Sequence, residues 1–88
     1  MSDILIVDDE KDIRELISEI LIDEGYSTRS SSNSADCLNQ VSNAPPDLLI
    51  LDIWLKDSSM DGIDILKKVK IDYPQVPVVI ISGHGNIE

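Results

Sequence analysis

Three short apolar runs, residues 4–7 (ILIV), 48–51 (LLIL) and 78–81 (VVII), constrain this chain more than any other feature. At 4–7 and 48–51 the run without polar alternation suits a strand buried on both faces, as happens when a parallel sheet is covered by helices, and 78–81 reads as a further strand. Between the first two runs, Ile13, Leu16, Ile17, Ile20 and Leu21 recur at helical spacing from Asp12 onward, with Arg14, Glu15, Ser18 and Glu19 between them. Gly25 marks the stop of that helix. Residues 26–29 read as a short strand, and SSSNS then offers turn residues and an N-cap for a helix carrying Ala35, Leu38 and Val41. NAPPD breaks the chain before the second apolar run. After the loop IWLKDSSMDG, a helix is predicted over about 63–73, with Ile63, Leu66 and Val69 on one side and YPQVP as its end. Strands alternating with helices at this spacing predict right-handed β-α-β units and a parallel sheet.

With 88 residues and no Phe, the chain is predicted to be one small α/β domain over residues 1–88, its core built from Ile, Leu and Val. A net charge of -10 repels nucleic acid and anionic membrane surfaces and favours cationic partners or metal ions, so direct nucleic-acid binding by this segment is not expected. The single cysteine, Cys37, has no partner for an internal disulfide and reads as a small buried hydrophobe. MSDILIV carries neither a basic leader nor an apolar run long enough for a signal peptide or a membrane span. A cytoplasmic location is the expectation.

In a parallel sheet the carboxyl ends of the strands meet at one edge, where ligands bind. Here the first strand ends in Asp8 and Asp9, the third in Asp52 and the fourth in Ser82. Carboxylates gathered at neutral pH need a cation among them, or a proton on one of them. Magnesium is the natural candidate: it prefers oxygen ligands and is often held by one or two carboxylates together with a phosphate. So placed, it orients a phosphoryl group, and an adjacent Asp can be the nucleophile. Plainer roles stand beside this one. Asp8, Asp9 or Asp12 can cap the following helix, which for an isolated acidic pair is the commoner role. Asp52 alone is a loop acid, Ser82 alone a turn residue, and His84 a glycine-flanked turn residue to which no catalytic role is given. Trp54 is core or surface, and Lys11 is solvated or balances the acids.

IVDDE after the first strand, LLILD at the third, DG opening the third helix and VVIIS at the fourth strand together resemble the receiver domain of two-component response regulators. DIWL and SGHG look most like regulators of the NtrC and NtrX kind. The resemblance implies a doubly wound, flavodoxin-like parallel sheet with strand order 2-1-3-4-5. It makes Asp52 the acceptor of a phosphoryl group from a sensor histidine kinase, in a phosphorelay that regulates an output domain, expected to be transcriptional. It makes Asp9 a direct Mg2+ ligand and Asp8 a ligand through water or a supporting acid. Asp52 and the backbone carbonyl of Trp54 complete the set, and Ser82 is the switch hydroxyl, with Gly83 the small residue beside it.

Two departures from the family's pattern bear on function. LKDSSMDG is longer than the usual connection and lacks its proline. The chain also ends at Glu88, before the fourth helix, the fifth strand with its lysine and the fifth helix that the resemblance implies. Lys11, Lys56, Lys67, Lys68 and Lys70 lie on the wrong elements to substitute for that lysine. The expectation is a truncated receiver that forms a homodimer through the exposed edge of its fourth strand or by exchange of elements. The alternative function is a phosphorylation-incompetent module for dimerisation or protein interaction. A haloacid-dehalogenase-type phosphatase would need Asp-x-Asp after the first strand, which DDE does not supply.

Overall fold

A computed structural model describes residues 2–55 and 60–81. The apolar run at 4–7 lies within β1 (Asp3–Val7), which pairs with β2 (Ser27–Ser31) on one side and β3 (Leu48–Asp52) on the other. β4 (Val78–Ile81) pairs with β3, so the described residues form a parallel sheet of order β2-β1-β3-β4. The helices are α1 (Lys11–Asp23), α2 (Ser34–Asn43) and α3 (Gly62–Asp72). This is the doubly wound arrangement expected.

Successive side chains of a strand point to opposite faces. Leu5, Val7, Leu49 and Leu51 therefore share one face, where they pack in a single core with Cys37 and Val41 of α2 and Ile65 and Val69 of α3. Ile4 and Ile6 are buried on the other face, on the side of α1, which packs against β1 and β2. Burial pushes the Cys37 thiol up to about 12, with the Asp36 charge adding to it, so Cys37 is the neutral apolar filler expected.

Several elements differ from their expected form for identifiable reasons. β2 covers Ser27–Ser31 where 26–29 was expected, because its ends follow its register with β1, Asp3 opposite Ser27 through Val7 opposite Ser31, and not its own composition. As an outer strand it tolerates serines, and Ser18 Oγ of α1 meets Thr28 Oγ1 at 2.6 Å. α3 buries Ile65 and Val69, with Leu66 partly covered, whereas Ile63 is exposed. Its rotation is set at Gly62, which lies against the backbone of Asp52 and turns the positions three and seven residues on toward the sheet. On α2, Cys37 and Val41 are buried but Ala35 is exposed. In α1, Ile13, Ile17 and Leu21 are half-buried while Leu16 and Ile20 are more than half exposed.

The helix ends follow their local chemistry. Gly25, at φ 96°, closes α1: its amide donates to the Ile22 carbonyl and that of Tyr26 to Leu21. Asn33 and Asp61 cap α2 and α3 by accepting the amides of Asp36 and Asp64. At the amino-terminal end of the sheet, Arg29 of β2 grips both carboxylate oxygens of Asp3 at 3.1 and 2.7 Å and donates to the Ala44 carbonyl at 2.7 Å. Asp47 adds a bond in each direction to the Asp3 backbone. Among the described residues, no helix is long and apolar enough to cross a membrane.

Candidate functional site

β1 and β3 are adjacent and parallel, with Val7 opposite Leu51, so the chain leaves both strands at the same edge. Asp8, just after β1, and Asp52, the last residue of β3, therefore come side by side. One carboxylate oxygen from each of Asp8, Asp9 and Asp52 lies within 4.8 Å of the others. Asp8 is 1% exposed, Asp52 0%, and Asp9 is partly buried.

Asp8 is held at three points. Its amide donates to the Ser31 carbonyl at 3.1 Å, its Oδ1 accepts the Glu10 amide at 2.8 Å, and its carbonyl accepts Nη1 of Arg14 at 2.8 Å. The Glu10 amide precedes α1, whose N-cap is Glu10, so Asp8 is not capping the helix. Its other oxygen, Oδ2, is buried with no hydrogen-bond partner among the described residues. Burial, then the charges of Asp52, Asp9 and Glu10, push the Asp8 carboxyl above its ordinary range, against the lowering effect of the Glu10 amide. Asp52 Oδ1 accepts the Trp54 amide at 3.3 Å, and the Trp54 side chain lies on the surface.

The donor set is all carboxylate oxygen, and among the described residues the buried Oδ2 of Asp8 has no hydrogen-bonding neighbour. Both features fit a hard divalent cation. Lysines of the described segments lie elsewhere: Lys11 is exposed and 3.8 Å from Glu15, Lys68 pairs with Asp72 at 3.2 Å, and Lys70 donates to the Val76 carbonyl. Ser82, Gly83, His84 and Lys56 lie outside the described residues.

Two residues that shape the site carry no role in the sequence reading. Arg14 is a polar position of an amphipathic helix there, yet helical side chains lean toward the helix N-terminus, and a long cation in the first turn reaches back to the preceding loop. Gly62 is only half of the DG motif there. In the structure a Cβ at Gly62 would collide with the Asp52 carbonyl oxygen, and would lie 2.6 Å from Ile53 Cα and 2.9 Å from the Asp52 carbonyl carbon.

Over residues 4–88 the sequence matches the response regulator receiver domain family. The chain is a response regulator receiver domain. The receiver is similar to the nitrogen assimilation regulatory protein NtrX of Azorhizobium caulinodans, 52% identical over 98% of this chain and 19% of that protein. The receiver domain of NtrX from Brucella abortus superposes with a TM-score of 0.90 at 49% identity, covering 96% of this chain and 70% of that one. The response regulator TrrA of Thermotoga maritima, solved in complex with Mg(2+)-BeF, superposes at 0.89 with 30% identity, covering 94% and 70%. The expected likeness to NtrC and NtrX regulators therefore holds. The receiver spans about a fifth of the length of its NtrX relative.

Proposed function

We propose that Asp52 is the phosphoacceptor of this receiver, taking a phosphoryl group from the phosphohistidine of a sensor histidine kinase in a site loaded with Mg2+. The observation that carries this reading is the convergence of Asp8, Asp9 and Asp52 within 4.8 Å at the carboxyl edge of the sheet. Receiver domains are signalling domains, and this one would control an output domain, most simply a transcriptional one, from the cytoplasm.

Asp8, Asp9, Asp52 and the Trp54 carbonyl would hold the cation, in keeping with the Mg(2+)-BeF complex of TrrA. Mg2+, when bound, supplies neutralisation of the carboxylates and of the phosphoryl oxygens. An oxygen of Asp52 attacks phosphorus in line, the P–N bond to the kinase imidazole breaks, and its electron pair leaves with the imidazole. The Trp54 amide fixes Asp52 Oδ1 and so aims the carboxylate. Ser82, by its place in the family pattern, is the hydroxyl that turns to the new phosphate.

With MgCl2 and acetyl phosphate, the wild-type chain is expected to gain the mass of one phosphoryl group and Asp52→Asn none, read by intact mass spectrometry. Equal phosphorylation of both would remove Asp52 from this role.

The β4 edge supports a second reading, in which two copies pair edge to edge or exchange elements, and the module acts through that contact. β4 is the outer strand of the described sheet, so its main-chain edge is one on which another strand can add. In sedimentation velocity Val79→Lys should shift a concentration-dependent dimer to monomer; a wild-type chain that is monomeric at all concentrations would sink the pairing.

A further inference from the structure

We infer that Arg14 is a positioning residue for the acid site, its guanidinium holding the Asp8 carbonyl and so fixing the turn from which Asp8 and Asp9 present their oxygens. This rests on the reading of that site as a Mg2+ centre. The Asp8 carbonyl belongs to the planar peptide that joins Asp8 to Asp9. Holding its oxygen at 2.8 Å fixes the orientation of that plane, and with it the direction in which Asp9 leaves the chain. The Asp8 amide is tied to Ser31, and its Oδ1 closes a turn with the Glu10 amide that encloses the Asp8–Asp9 peptide, but neither bond reaches the carbonyl oxygen of that peptide. Arg14 adds a second hold on that peptide, at its carbonyl, from the first turn of α1, partly buried, at a loop where three acids follow one another.

The acceptor is a neutral carbonyl, and that separates two roles by sign. If Arg14 acted as a counter-ion to the acids, its removal would take away a competitor of the metal and tighten Mg2+ binding. If it positions the turn, removal loosens Asp8 and Asp9 and weakens binding, as loss of supporting hydrogen bonds around metal ligands commonly does.

The test is a MgCl2 titration of the 88-residue chain, read as the rise in melting temperature with metal. Arg14→Met keeps the aliphatic stem without a donor, and is expected to bind Mg2+ about tenfold more weakly than wild type. It should still melt cooperatively in EDTA, close to wild type. Arg14→Lys, whose ammonium can reach the same carbonyl, is expected to recover most of the affinity. Should Arg14→Met lose its transition in EDTA, Arg14→Gln, polar but shorter than the span to the carbonyl, takes its place with the same expectation. Unchanged or tighter Mg2+ binding in the donor-less variant, beside a wild type that binds the metal, overturns the positioning role and leaves the metal reading standing. A wild type whose melting does not respond to Mg2+ overturns both.

Discussion

Gly62→Ala is expected to destabilise the chain by about 3 kcal/mol, a large part of the roughly 5–15 kcal/mol that holds a domain together. The cause is steric. A methyl at residue 62 would meet the Asp52 carbonyl group and Ile53 Cα, all backbone atoms at the end of β3 that no rotamer change can move aside. Relief requires α3 to retreat from the sheet, which breaks the 2.9 Å bond from the Gly62 amide to the Ile53 carbonyl and unseats Ile65 and Val69 from the core. The same retreat displaces Asp52, so Mg2+-dependent phosphorylation should fall together with stability. Urea unfolding monitored by circular dichroism measures the first effect and intact mass the second; an unchanged midpoint would show that the helix does not seat here.

Asp8→Asn is expected to act in opposite directions on the empty and the loaded site. Burial and neighbouring acids hold the Asp8 carboxyl above its ordinary value of 3.8 in the fold. Between that value and the raised one the folded chain binds more protons than the unfolded chain. Stability therefore falls as pH rises through this window, and the penalty is complete once pH exceeds the raised value. Asparagine removes the charge, while its Oδ1 can still accept the Glu10 amide. In EDTA at neutral pH the variant should gain on the order of 1 kcal/mol, seen as a melting temperature higher by about 4–8 °C, and its stability should no longer change across that window on account of residue 8. With Mg2+ present the wild type should rise and the variant should not. A variant less stable than wild type in EDTA would show that the Asp8 charge is compensated in the fold.

Most of the sheet was legible because its strands are apolar throughout. ILIV and LLIL form the two covered central strands and VVII the outer, partly exposed β4, and the acids at the carboxyl ends of the central pair converge as parallel pairing demands. β2 was less legible, since a serine-rich outer strand takes its limits from its neighbour's register. The inner face of α3 was misjudged by part of a turn: Ile63, Leu66 and Val69 satisfy helical spacing as well as Ile65 and Val69 do, and only the seating of Gly62 decides between them. In the site, Asp8, Asp9 and Asp52 were visible as residue types at strand ends, whereas Arg14 acts through a main-chain carbonyl, an acceptor with no signature in side-chain pattern.

The grip of Arg29 on Asp3 has a consequence for where β1 responds to a cation. One end of this strand is fastened by a paired guanidinium and by Asp47; the other ends in acids that repel one another. A cation held among those acids would remove their repulsion and add to the three bonds that already hold Asp8. The salt-bridged end and the acidic end thus lie at opposite ends of one five-residue strand, so a cation bound at the acids would act on β1 away from its Arg29 anchor.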